Sequence, residues 1–173
     1  MNPIVGLEIH AELKTESKIF CSCRNRFGDS PNSNCCPVCL GLPGALPVLN
    51  REVVRSCVLL GLALKAEIAP VSATARKNYF YPDLPKGYQI TQHRQPTCKG
   101  GELSFYSQGE RRVCRIQSVH FEEDAGKLLH ADGKTEMDYN RSGVPLLEIV
   151  TEPDLHSGQE AADFLENMRA LLL

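Results

Sequence analysis

The chain has 173 residues, 42% of them hydrophobic and 23% charged, and a formal net charge of −2. That length can bury one sizeable core, and the near-neutral balance excludes an overall basic field drawing in nucleic acid. The N-terminal Met1-Asn2-Pro3 lacks a basic region, so no signal peptide is expected, and no apolar run approaches the roughly 20 residues that span a membrane.

Residues 5–13 alternate, with Val5, Leu7, Ile9, Ala11 and Leu13 on one side and Glu8, His10 and Glu12 on the other. The period predicts a strand with one apolar face and one face carrying carboxylates and an imidazole. Next come Cys21-Ser22-Cys23 and Cys36-Pro37-Val38-Cys39, with twelve residues between the pairs. A CxC and a CxxC at that distance can place four thiolates around one tetrahedral ion, most often Zn²⁺. A metal loop over about residues 20–40 is therefore expected, in a reducing compartment. Eight cysteines also permit a disulfide scaffold, but Cys35, Cys57, Cys98 and Cys114 are scattered, and such scaffolds are usually shorter and secreted. Cys35, beside a ligand, is a competing thiol.

Asn50 can cap a helix running to about Lys65; Val53, Val54, Cys57, Val58, Gly61 and Leu62 keep an apolar face that Leu59 and Leu60 widen, so deep burial is expected. Residues 78–89, rich in aromatics, proline and glycine, read as an ordered, aromatic-braced loop. Strands are expected over Glu102–Tyr106, bracketed by Gly100-Gly101 and Gln108-Gly109, over Val113–Phe121, and over Leu146–Thr151. Ser157 and Glu160 form a capping box. Phe164, Leu165, Met168, Leu171 and Leu172 then recur at helical spacing up to Leu173. Such an apolar end reads as part of a longer protein. Strand, loop, helix, several strands and helix predict an α+β class with a largely antiparallel sheet.

Two clusters carry chemistry. Glu122-Glu123-Asp124 is either a solvated acidic turn or a cation site, and Glu148 stands inside the apolar run Leu146–Val150. With Glu8 and His10, Glu123 and Glu148 make an oxygen-rich set suited to a hard cation such as Mg²⁺. Arg76, Lys77, Lys86 and Arg141 are candidate anion contacts. There is no GxxxxGK[ST] phosphate loop. His93, His120, His130 and His156 show no ligand spacing and read as structural or surface residues, although His120 could share a cleft with Glu123.

The runs Val5–His10, Cys36–Gly44, Arg76–Asp83, Glu122–Lys127 and Asn140–Glu148, in this order, resemble the GatB family, the B subunits of the aspartyl/glutamyl-tRNA amidotransferases. The resemblance covers essentially the whole chain. It implies that residues 1–173 form the N-terminal part of a glutamine-synthetase/guanidino-kinase-like cradle, without the helical and tail domains that bind tRNA. It implies a cytoplasmic ligase that phosphorylates the side-chain carboxylate of misacylated Glu-tRNA(Gln) or Asp-tRNA(Asn) with ATP. Ammonia supplied by the amidase partner GatA, in a complex with the small partner GatC, then amidates that group. By motif, Glu8, His10, Glu123 and Glu148 resemble catalytic Mg²⁺ ligands, Lys77 and Lys86 resemble residues of the ammonia path, and Cys21, Cys23, Cys36 and Cys39 resemble a zinc site found in some members. The 173 residues alone are expected to be inactive. A zinc-containing RNA-binding module or a non-catalytic scaffold are the alternatives.

Overall fold

The computed structural model describes residues 3–173, so Met1 and Asn2 of the N-terminal reading lie outside the described residues. The elements in chain order are β1 (Glu8–Glu12), α1 (Arg51–Ala63), β2 (Glu67–Ile68), β3 (Ala75–Asn78), β4 (Tyr88–Thr91), β5 (Cys98–Lys99), β6 (Glu102–Ser107), β7 (Glu110–Glu123), β8 (Lys127–Ala131), β9 (Lys134–Asp138), β10 (Pro145–Thr151) and α2 (Gly158–Leu172). The class is α+β, as expected. One sheet runs β1-β10-β7-β5-β2 with β6 also paired to β7, and β3–β4 and β8–β9 are separate hairpins. Every strand pair is antiparallel.

β7 is the spine because it is long enough to pair β6 along its first half and β10 along its second. Midway, the register slips by one: Val150 faces Ser118 but Thr151 faces Ile116, leaving Gln117 as an extra residue. Such a bulge re-aims the side chains beyond it. Cys114 and Ile116 point into the core before it, and Val119 and Phe121 do so after it. Ile9 on β1 and Leu147 and Ile149 on β10 join that apolar face, which packs with Val53, Cys57 and Leu64 of the α1 region.

Both helix starts follow the sequence chemistry. Asn50 Oδ1 accepts from Glu52 N at 2.9 Å, and Ser157 Oγ accepts from Glu160 N at 3.0 Å. The return arm of the capping box lands one residue early, Glu160 Oε2 accepting from His156 N at 2.7 Å. α1 sits hard against β5: a Cβ on Gly61 would lie 2.4 Å from Cys98 Sγ, so only glycine fits. Its opposite side is open, with Leu59 and Leu62 exposed, which corrects the expected deep burial. α2 buries only Phe164 and Met168, Phe164 meeting Phe105 of β6 edge to face at 5.5 Å. The stretch expected as an aromatic-braced loop supplies the end of β3, a turn and the start of β4. Tyr79, Phe80 and Tyr81 face outward, Phe80 being 97% exposed, and only Tyr88 is braced, under Arg76 and Lys86.

Candidate functional site

Strand register builds the first site. His10 on β1 stands opposite Glu148 on β10, which stands opposite His120 on β7. Side chains alternate along a strand, so Glu8 and Glu122, two positions from His10 and His120, share that face. His10 Nε2 lies 3.0 Å from Glu122 Oε1 and 3.5 Å from Glu148 Oε2, and His120 Nε2 lies 3.4 Å from Glu148 Oε2. Ligand atoms of His10, Glu122 and Glu148 all fall within 4.8 Å of one another.

The electrostatics of this trio suit a cation. Glu122 is 1% exposed, and neither carboxylate oxygen receives a hydrogen bond, the close contact with His10 lacking the alignment of one. A buried carboxylate without donors is costly unless a charge compensates it. Burial, then the neighbouring Glu148 charge, hold the Glu122 carboxyl above its ordinary range. The His120 imidazole beside Glu148 brings that group down to about 2 against the opposing effect of burial. One carboxylate is thus firmly ionised and the other is short of positive charge, while His10 is half exposed to solvent. Two carboxylates and an imidazole fit a divalent ion that retains positions for water or phosphate oxygen.

The cleft above them holds about 780 Å³. Glu8, His120, Glu122 and Glu148 line one wall, and Arg76, Lys77 and Arg94 bring positive charge to it from the β3–β4 side. Lys77 is near enough for its charge to favour the ionised form of Glu122.

The expected set differs at Glu123. That side chain leaves β7 on the face of Val119 and Phe121, where Lys86 Nζ donates to both its oxygens and Ile90 N donates to Oε1 at 2.7 Å. Both partners of the ion pair are buried. Glu122 takes the place in the cation cluster, and it is Glu122 that shares the cleft with His120. Extending the inward phase of Cys114 and Ile116 down the strand puts Glu123 on the outer face; the Gln117 bulge reverses that phase. The pattern Val119-His120-Phe121-Glu122 carries the signal for the face on which Glu122 lies. Of the expected four, His10 and Glu148 come together and Glu8 lines the same wall beside them. Lys77 faces the cleft, whereas Lys86 is committed to Glu123.

The second site lies in the loop after β1. Cys21, Cys23, Cys36 and Cys39 converge, with Cys39 Sγ 3.3 Å from Cys21 Sγ, 3.6 Å from Cys36 Sγ and 3.7 Å from Cys23 Sγ. Thiolates at roughly 2.3 Å around a tetrahedral Zn²⁺ stand about 3.8 Å apart, so the cluster is consistent with a zinc site. All eight cysteines are free thiols, which removes the disulfide reading. Cys35 is outside the cluster, its thiol directed toward Asn140 Oδ1 at 3.9 Å. The Cys21 thiol bonded to Cys39 pulls Cys39 down to about 4, with the Lys18 charge assisting, and Cys21 is correspondingly raised. The two sites share a strap. Ser142 Oγ donates to Cys39 O, Ile19 N to Gly143 O, and Gly143 N to Asp124 O, directly beyond Glu122 and Glu123.

Comparison with known proteins agrees along the whole chain. The family model described as "GatB/GatE catalytic domain" matches residues 3–173. The B subunit of the aspartyl/glutamyl-tRNA(Asn/Gln) amidotransferase of Anaeromyxobacter dehalogenans (strain 2CP-1) is 57% identical over 98% of this chain. The proteins of the same name from Moorella thermoacetica and Thermodesulfovibrio yellowstonii are 56% and 55% identical, each over 98% of the chain. The chain spans 36% of the length of each of these relatives.

Proposed function

Because the chain belongs to the GatB/GatE catalytic-domain family, we propose that its cleft activates the side-chain carboxylate of Glu-tRNA(Gln) or Asp-tRNA(Asn) and amidates it, in a cytoplasmic complex with the amidase GatA and the small protein GatC. A carboxylate is a poor electrophile. Its oxygen attacks the γ-phosphorus of ATP and ADP departs; ammonia then attacks the acyl carbon and inorganic phosphate departs. Positioning and charge stabilisation supply most of the catalysis in such a transfer.

His10, Glu122 and Glu148 would hold Mg²⁺, which when bound shields the phosphate charge that repels an incoming carboxylate. Lys77 and Arg76, facing them across the cleft, bind and orient phosphate oxygens. Glu8 lines the acidic wall. The buried Glu123–Lys86 pair stands on the other side of β7, where it is suited to hold a proton from ammonium along the ammonia path. Four thiolates leave no open position on Zn²⁺, so Cys21, Cys23, Cys36 and Cys39 act structurally.

The observation that carries this reading is the three-strand register placing His10, Glu148 and Glu122 on one face opposite a basic wall. The test is ATP-dependent phosphorylation of the aminoacyl carboxylate by the full-length protein assembled with its partners. Glu148→Gln and Glu122→Gln should each lower the rate by about 100-fold, roughly 3 kcal/mol of transition-state stabilisation. Folded variants with unchanged phosphorylation overturn the reading. The isolated 173 residues should form no Gln-tRNA; clear turnover would show that the cradle works alone.

A further inference from the structure

Lys18 is the one lysine whose side chain is fully buried, with 0% exposure, next to Ile19 at 0% and Phe20 at 6%. Its stem packs on Gly143, where a Cβ would lie 3.6 Å from Lys18 Cδ. Its ammonium has three N–H donors and finds three acceptors: Asn34 O at 2.8 Å, Tyr139 O at 3.4 Å and Cys39 Sγ at 3.6 Å. Among the described residues no carboxylate lies within ion-pair distance of it. A buried cation needs compensating negative charge, and the only candidate in contact is sulfur. Four thiolates around a divalent ion carry a net charge of −2, which supplies it.

We propose that Lys18 is a positioning residue of the four-cysteine metal site, its ammonium donating to the Cys39 thiolate, offsetting the charge of the metal–thiolate cluster and tying it through Tyr139 to the strap that enters β10. This rests on the reading of Cys21, Cys23, Cys36 and Cys39 as metal ligands. Hydrogen-bonded outer partners of metal ligands are worth about 10–100-fold in metal affinity. The strap Tyr139–Val144 leads straight to Glu148, so the same ammonium joins the sulfur site to the cleft.

Two measurements on the full-length protein decide the matter. Zinc release to a chromophoric chelator should be about tenfold faster in Lys18→Met than in wild type and partly restored in Lys18→Arg, at unchanged circular dichroism. A folded Lys18→Met that releases zinc within twofold of wild type overturns the proposal. Should Lys18→Met fail to fold, the wild-type protein answers alone. Its Lys18 ammonium resonance, followed by nitrogen–proton NMR, should shift when the cysteines are loaded with ¹¹³Cd²⁺. Cadmium and zinc uptake with an unmoved Lys18 resonance overturns the role of Lys18 only; uptake of neither metal overturns the cysteine-site reading and this one with it.

Discussion

The sulfur site and the oxygen cleft are built in opposite ways. The four cysteines come from one stretch of nineteen residues, Cys21–Cys39, and close completely around a point. The cleft draws His10, Glu122 and Glu148 from three strands far apart in the chain, and only the sheet brings them together. Soft ligands filling every position make a fastener, whereas hard ligands left incomplete make a site that can share its ion with a substrate. The difference also sets how each fails: the first by losing its ion, the second by a change of strand phase.

The sharpest way to break that contrast is to compare adjacent carboxylates. Glu122→Gln should weaken Mn²⁺ binding, measured by electron paramagnetic resonance, by about 100-fold while the protein stays folded. Glu123→Gln should leave Mn²⁺ binding in place but cost about 3 kcal/mol in urea unfolding, because Lys86 is left buried without its counter-charge. Equal effects of the two variants on both readouts would abolish the distinction. Next in size is metal removal. Chelating zinc should lower Tm by several degrees, about 2 kcal/mol at 2–4 °C per kcal/mol, whereas removing Mg²⁺ should shift Tm less, the cleft being already formed by strand pairing.

A smaller effect concerns pH. Glu122 has a raised folded pKa, so its contribution to stability is present below the unfolded value of about 4.3 and is lost as pH rises through the folded value. Glu148, held at about 2, contributes stability above about 4.3 that is lost as pH falls toward 2. Denaturant titrations without divalent ions should show the Glu122 slope, and Glu122→Gln should flatten it; an unchanged slope would show that Glu122 is not the group responsible. The smallest expected effect is none. Cys35→Ser should keep one zinc per chain by elemental analysis, since its sulfur stands outside the cluster, and loss of zinc would put Cys35 among the ligands.

Local chemistry was legible in the residues. The CxC and CxxC pairs, the Asn50 and Ser157 caps and the alternation of Val5–Leu13 act over a few residues and produced what they promised, β1 being trimmed to Glu8–Glu12 with Val5 bridging Leu155. The turn Asp132-Gly133, both residues at positive φ, joins β8 to β9 and is a readable hairpin signal that the expected strands did not include. β2 and β5, two residues each, have no period to read and exist because α1 and β7 offer them partners. Nothing in Glu16-Ser17-Lys18-Ile19-Phe20 marks the lysine as buried; its acceptors come from Asn34, Cys39 and Tyr139, which tertiary structure alone assembles.

Gln117 is spare length in β7. Deleting that one amide-bearing residue would restore strict alternation from Ile116 onward and leave Val119, Phe121 and Glu123 on the core side and His120 and Glu122 on the cleft side. The strand beyond Val119 has no such slack: losing one residue between Val119 and Glu122 would swing Glu123 toward the phosphate side and Glu122 toward Lys86. A variant lacking Gln117 should therefore still bind Mn²⁺, whereas one shortened at Phe121 should not.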